Sequence, residues 1–196
     1  MNYLVVDFEF TFYKRPVGRP RAFFPEIIEV GAVKLNENLK EYGKLQNFVK
    51  PHFFPNHAKD AMDFCMITEK DMKKGITFSV MLEKLTDMYE ADKTLFVAWG
   101  DSDYKVLAQG CERHKLDNPI REDDYLDLAE AYKFWTGAEN TPSLKAAIED
   151  VEVLADGLAH TAFDDAYNTG KVLIKMLEKG WTFEAYLRAK ELQKNN

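Results

Sequence analysis

The chain has 196 residues, of which 46% are hydrophobic, and carries a formal net charge of −7. This length and composition suit one α/β domain with a sizeable core and argue against wholesale disorder. The acidic balance excludes a general nucleic-acid-coating protein, because phosphate binding requires clustered Lys and Arg.

The first predicted element is a buried strand, "YLVVDFEFT" (3–11), which is rich in strand-forming residues. Side chains alternate across a strand, so Asp7 and Glu9 share one face with Val5, whereas Phe8 and Phe10 share the other. Two carboxylates that point the same way from a central-looking strand are costly to bury. The pattern therefore indicates a site rather than ordinary core.

A basic loop, "KRPVGRPR" (14–21), follows this strand, and its prolines and glycine are typical of a turn. Its four cations are Lys14, Arg15, Arg19 and Arg21. A solvated turn is one interpretation. Its position beside Asp7 and Glu9 favours a second one, a guide for a polyanionic strand.

The remaining pattern predicts a mixed β-sheet flanked by α-helices, in a single domain over 1–196 with its core at about 3–180. Two strands follow the loop after short gaps, which favours an antiparallel meander. Thr68 is expected to cap a short helix that ends at Gly75, and Thr141, with a proline in the first turn, to cap a later one. The segment 51–65 is aromatic and irregular. The predicted strands are 25–35, 43–51 and 94–100, and the predicted helices are 69–74, 78–91, 101–114, 141–151, 162–179 and 182–194, with 124–135 extended and then helical.

Asp103 lies at the head of a buried helical stripe. Val106, Leu107 and Gly110 follow it by three, four and seven positions, so they share its helix face. Asp101 is more simply a cap of the same helix. Asp103 alone would be typical of a first-turn acid that complements the helix dipole.

The stretch "HTAFDDAYNTGKVLIKML" (160–177) offers a further acid. Asp165 falls within the apolar stripe of this helix, whereas Asp164 aligns with Asn168 on the solvent-exposed face. His160 comes five residues before Asp165, just ahead of the helix, where its side chain can lean over a site.

Together, Asp7, Glu9, Asp103 and Asp165 form a set of inward-facing acids with His160 beside the last. Converging carboxylates repel one another, and hard divalent cations such as Mg²⁺ or Mn²⁺ relieve this. Two such ions, roughly 3.5–4 Å apart, form the clamp used for in-line displacement at phosphodiesters. The acids therefore predict two divalent metal ions.

These motifs resemble the DEDDh 3′–5′ exonucleases of the RNase H-like fold. The resemblance lies in "DFE" (7–9), "WGDSDYKVL" (99–107) and "HTAFDDA" (160–166), in order and spacing. "FFPEIIEVGAV" (23–33) and "FCMITEKDM" (64–72) resemble the branch that trims histone-mRNA and small-RNA ends, and within it the bacterial KapD-like proteins. The branch favours RNA as substrate.

The resemblance implies that the chain releases 5′-mononucleotides from the 3′ end of a single strand. Asp7, Glu9, Asp103 and Asp165 would hold the metals, and His160 would act as general base, a role that suits imidazole. Glu9, His160 and the backbone at Phe10 would meet the terminal nucleotide, and Phe10 departs from the small residue often found there. From the residues, Phe64 or Trp99 offers a surface on which a base can stack, although core packing is the commoner role of an aromatic residue.

Two alternatives remain open. "VVDFEFT" resembles the Asp-x-Asp-x-Thr strand of haloacid-dehalogenase-type phosphatases, but Glu9 replaces their second aspartate and His160 would have no role. The other is a regulatory docking protein with this fold, a sporulation-pathway inhibitor that binds a protein partner without catalysis.

Location and thiol chemistry follow from simpler signals. Asp7 interrupts the N-terminal apolar run before a signal-like segment can form, and no apolar run approaches the roughly 20 residues of a membrane span. We therefore expect a cytoplasmic protein with no membrane partner. Cys65 and Cys111 lie far apart in unlike contexts, so reduced thiols are expected.

Overall fold

A five-stranded mixed sheet forms the centre of the computed structural model, which describes residues 1–14 and 18–194. Its strand order is β3-β2-β1-β4-β5. The first three strands pair antiparallel as a meander, and β4 and β5 extend the sheet parallel to β1. The strands are β1 (Asn2–Phe10), β2 (Ile27–Leu35), β3 (Glu41–Phe48), β4 (Thr94–Ala98) and β5 (Tyr125–Asp127). The predicted mixed sheet is confirmed.

Helices cover the sheet, and their bounds lie close to the predicted ones. They are α1 (Lys59–Phe64), α2 (Glu69–Lys74), α3 (Phe78–Met88), α4 (Ser102–His114), α5 (Leu128–Thr136), α6 (Leu144–Asp150), α7 (Ala162–Glu178) and α8 (Phe183–Lys194). Short 3₁₀ turns occupy Pro55–His57 and Glu122–Asp124. Within the two described ranges, no helix has both the length and the apolarity to cross a bilayer.

The prediction of an irregular segment at 51–65 is wrong at its end, where α1 forms. A helix of six residues is too short to show a periodic pattern, and in isolation it would not be stable. Tertiary packing supplies what the sequence pattern lacks: Ala61 and Cys65 are buried in a small cluster with Ile28 and Ile67.

The two faces of β1 feed two separate cores, as the alternation predicted. Leu4, Val6 and Phe8 pack with residues of α3 and α4 on one side of the sheet. Val5 packs on the other side with residues of α5, α6 and α7. α8 joins this second core, where Tyr186 is buried and its ring lies 5.8 Å from that of Phe134.

The three cap predictions have different outcomes. Thr68 forms a capping box with Asp71 at the start of α2. The cap of α6 is Ser143, whose side chain accepts from the Ala146 amide, so the predicted Thr141 cap lies two residues too early. Asp101 occupies the N-cap position of α4, as predicted, but its carboxylate pairs with Lys105 one turn on and makes no side-chain cap bond.

Candidate active site

Asp7 and Glu9 lie where β1 extends beyond its neighbour. β4 pairs with β1 only as far as Val5, opposite Val97, whereas β1 continues to Phe10. Both carboxyl groups are partly buried at this step in the sheet. Burial, and then the charges of Asp103, Glu9 and Asp165, raise the pKa of Asp7 well above its ordinary value.

Asp103 joins them from the first turn of α4, where it is only 6% exposed. Its Oδ1 accepts a hydrogen bond from the amide of Phe8 at 2.8 Å. That amide lies past the end of the β4 pairing, so the carboxylate satisfies a donor that the strand ladder leaves free. Burial raises the pKa of Asp103, and the inward orientation predicted for this residue is confirmed in the structure.

The start of α7 brings the remaining predicted residues to β1. Ligand atoms of Glu9, His160 and Asp165 all lie within 4.8 Å of one another. Oδ2 of Asp165 accepts from the backbone amide of His160 at 2.9 Å, which ties the loop to the helix. His160 is exposed and has a φ of +66°. Burial raises the pKa of Asp165, and the backbone hydrogen bond from His160 opposes this.

Asp164 has a structural role that the sequence did not reveal. Its Oδ2 accepts from the Leu158 amide at 2.9 Å and from Thr161 Oγ1 at 2.7 Å, so it closes the loop that carries His160. Gly157 has a φ of +68°, and a Cβ there would lie 2.0 Å from the Asp164 carboxyl carbon. Asn168, predicted on the solvent-exposed face with Asp164, is buried and bonds the backbone of Asp156.

Two further side chains that the sequence did not assign to the site contact its residues. The buried Cys65 thiol donates to Oε2 of Glu9 at 3.0 Å. Glu29 of β2 is the cross-strand Cα partner of Glu9 and is 2% exposed. Burial raises the pKa of Glu9 and the pKa of Glu29, in the latter case to about 7. The sequence signal was present, since Glu29 interrupts an otherwise apolar strand.

The predicted stacking residues differ in their surroundings. Phe64 is 48% exposed at the end of α1, and its ring lies 4.6 Å from that of His160. Trp99 is half-buried against the core and donates its Nε1 hydrogen to the Pro142 carbonyl at 3.2 Å. The Phe10 side chain packs on the opposite face of the sheet from the acids. Only Phe64 combines exposure with contact to a site residue.

Three of the four cations of the basic loop lie within the described residues. Lys14 and Arg21 are exposed, and the Arg19 guanidinium lies 5.3 Å from the centre of the Phe23 ring. Arg15 lies outside the described residues. A role of these cations in guiding nucleic acid stays a prediction.

The donor set fits hard divalent cations. It consists of the carboxylate oxygens of Asp7, Glu9, Asp103 and Asp165, which are ligands that suit Mg²⁺ or Mn²⁺, and the His160 imidazole lies beside them. Within the described residues, no Lys or Arg forms an ion pair with Asp7, Glu9, Asp103 or Asp165. Burial is the main cause of the raised pKa of each of these four acids, and for Glu9 and Asp165 the charge of His160 opposes the rise.

A cavity of about 810 Å³ lies beside α1 but does not include the acids. Lys59, Met62 and Asp63 line it from one face of α1, and Met66 lines it from the turn that follows the helix. Phe64 and Cys65 project from the other face toward His160 and Glu9. The chemistry-bearing residues thus lie in an open site next to the cavity rather than inside it.

Comparisons with known proteins agree with this geometry. A family profile described as exonuclease (RNase_T) matches residues 4–173. The chain is 34% identical over 179 residues to the Bacillus subtilis (strain 168) protein named probable 3′-5′ exonuclease KapD, and the match covers 90% of this chain and 84% of that protein. It is 24% identical over 200 residues to human ERI1 exoribonuclease 2, of which it spans only 28%, while the match covers 90% of this chain.

Among solved structures, the chain resembles the nuclease domain of 3′hExo, a DEDDh family member, bound to rAMP. The TM-score is 0.77 at 24% identity, and the match covers 91% of this chain and 92% of that one. At this identity the likeness establishes the fold.

Proposed function

Because the chain belongs to the DEDDh 3′–5′ exonucleases of the RNase_T family and has their RNase H-like fold, we propose that it hydrolyses the terminal phosphodiester bond at the 3′ end of single-stranded nucleic acid. The product is a 5′-mononucleotide. The haloacid-dehalogenase alternative is set aside, since the family match extends over residues 4–173.

One observation carries the proposal: Glu9, His160 and Asp165 meet within 4.8 Å although they are up to 156 positions apart in the chain. Asp7 and Asp103 lie beside them, and the pKa of Asp7 is raised first by burial and then by the charges of Asp103, Glu9 and Asp165. Like charges that are held close together disfavour the ionised form of each group, and groups perturbed in this way cluster at functional sites. Phosphodiester hydrolysis with divalent cations is a function that uses such a site.

The chain's own residues have separable roles in this reaction. His160, exposed at the mouth of the site, accepts the proton of the attacking water. The water oxygen attacks phosphorus in line, and the bond from phosphorus to the 3′ oxygen of the preceding nucleotide breaks. Glu9 and the backbone at Phe10 hold the 3′-terminal nucleotide. Phe64, whose ring contacts the His160 ring, offers a surface on which the nucleobase of that nucleotide can stack.

Asp7, Glu9, Asp103 and Asp165 would hold two divalent metal ions, Mg²⁺ or Mn²⁺. When bound, these ions supply charge neutralisation at the phosphate and a more acidic water. The carboxyl groups must be ionised to bind them, so any of these acids that carries a proton in the metal-free protein releases it when metal binds.

RNA is the proposed substrate class. Support comes from relatives named as exoribonucleases and from a structural neighbour bound to rAMP. We assign this activity to a single domain over residues 1–196, in which α8 packs on the core through Tyr186. The location proposed for it is cytoplasmic.

The test is degradation of 5′-labelled single-stranded RNA and DNA of equal sequence with Mg²⁺ or Mn²⁺. We expect a ladder that shortens from the 3′ end, faster on RNA, and abolished by EDTA and by Asp7→Asn. Asp63→Asn is the matched control, because Asp63 is an exposed acid on the far face of α1 and its loss should leave the rate unchanged.

Failure of the well-folded, metal-loaded protein to shorten either strand would refute the exonuclease. It would favour the second candidate, a docking protein that acts without catalysis, whose effect on its partner should survive Asp7→Asn. The observation that favours this candidate is the cavity beside α1, whose lining includes methionines and lysines and which offers a surface for a partner. Equal rates on RNA and DNA would refute only the preference for RNA.

A further inference from the structure

Glu29 is a fifth acid at the site, and the proposed reaction gives it no role. It lies in β2 directly across from Glu9 and is 2% exposed. Burial of a carboxyl group next to other acids is costly, so the position requires an explanation in terms of what the side chain contacts.

The start of α7 has an unusual helix cap. Thr161 occupies the N-cap position but makes no side-chain cap bond, because its hydroxyl is engaged by Asp164 and the Leu158 carbonyl. The amide of Ala162, the first residue of α7, donates instead to Oε2 of Glu29 at 3.4 Å. A carboxylate from a neighbouring strand therefore satisfies one of the first-turn donors that have no partner within the helix, and it complements the positive end of the helix dipole.

Gly31 reinforces this contact two residues further along β2. A Cβ at this position would lie 2.1 Å from the Ala162 carbonyl carbon, so the strand and the helix start approach each other backbone to backbone. Glu29 and Gly31 thus form the surface of β2 against which the first turn of α7 packs. His160 precedes that turn by two residues, and Asp165 lies within it.

We propose that Glu29 is a positioning residue for the reaction: by binding the Ala162 amide it sets the distance of His160 and Asp165 from Glu9. The inference rests on the proposed function for its catalytic consequence, although the contact itself does not. Supporting residues behind metal ligands typically change activity or metal affinity by about 10–100-fold when they are removed.

The experiment compares three substitutions by steady-state kinetics and by amide hydrogen exchange of the metal-free protein. Glu29→Ala removes the acceptor, Glu29→Asp withdraws it by one methylene while the charge is kept, and Glu29→Gln retains an oxygen at the same reach. We expect Glu29→Ala and Glu29→Asp to lower kcat by about 10–100-fold with KM within about twofold, and to speed exchange of the Ala162 amide. Glu29→Gln should rescue both measurements to within about threefold of the original protein.

The inference is overturned if Glu29→Ala and Glu29→Asp leave kcat and the Ala162 exchange rate unchanged, or if Glu29→Gln is as damaging as Glu29→Ala. A general loss of folding would instead lower the folded fraction of all three variants alike and would also count against it. If the unsubstituted protein degrades no 3′ end, the proposed function fails separately, and the exchange rates still decide whether Glu29 holds the helix.

Discussion

Glu29 should make the metal-free protein less stable as the pH rises. Burial raises its pKa from an ordinary value near 4.5 to about 7. Because the folded-state value is the higher one, folded protein binds the additional proton, and the free energy of unfolding falls as the pH rises from about 4.5 to about 7. At about 1.4 kcal/mol per pH unit, this interval amounts to about 3 kcal/mol for this one group.

Urea unfolding in EDTA, at pH 4.5 and pH 8.5, measures the effect. Glu29→Gln removes the ionisation and retains an acceptor, so its stability relative to the original protein should rise by about 3 kcal/mol between the two pH values. Glu26→Gln is the control for loss of a buried carboxylate away from the acids. If the relative stability of Glu29→Gln is the same at both pH values, Glu29 does not titrate as described and the reasoning fails.

Three further substitutions test other parts of the structure. Gly31→Ala should destabilise the protein by about 1–3 kcal/mol and lower its activity, because the new Cβ would overlap the Ala162 backbone. Gly43→Ala is the control: its Cβ would meet only ordinary contacts, so stability in thermal unfolding and the reaction rate should both stay unchanged. Glu26→Ala should lower the free energy of unfolding in urea at neutral pH by about 3 kcal/mol, because the Glu26 carboxylate accepts hydrogen bonds from the backbone amides of 52–54. A decrease below about 1 kcal/mol would contradict this. Phe64→Ala should raise KM for RNA by about 5-fold or more with little change in kcat, and an unchanged KM would remove Phe64 from the substrate site.

Much of the fold was accessible from local patterns. Strand alternation placed Asp7 and Glu9 on one face of β1, and helical spacing turned Asp103 and Asp165 inward. These inferences hold because a strand or helix imposes its side-chain period whatever surrounds it. The α1 helix and the cap at Ser143 escaped prediction, because short elements depend on packing and local hydrogen bonds more than on periodicity.

The sequence by itself determined which residues are unusual: acids inside apolar patterns, and a histidine just ahead of a helix. Only the tertiary structure decided how these residues are held together. Glu29 is itself an acid inside an apolar pattern, but nothing in the sequence links it or Gly31 to Ala162, whose contact with them places the start of α7 against β2. Such contacts depend on long-range backbone approach, which no local period encodes, and so the contact made by Glu29 emerged only when the strands and helices were packed.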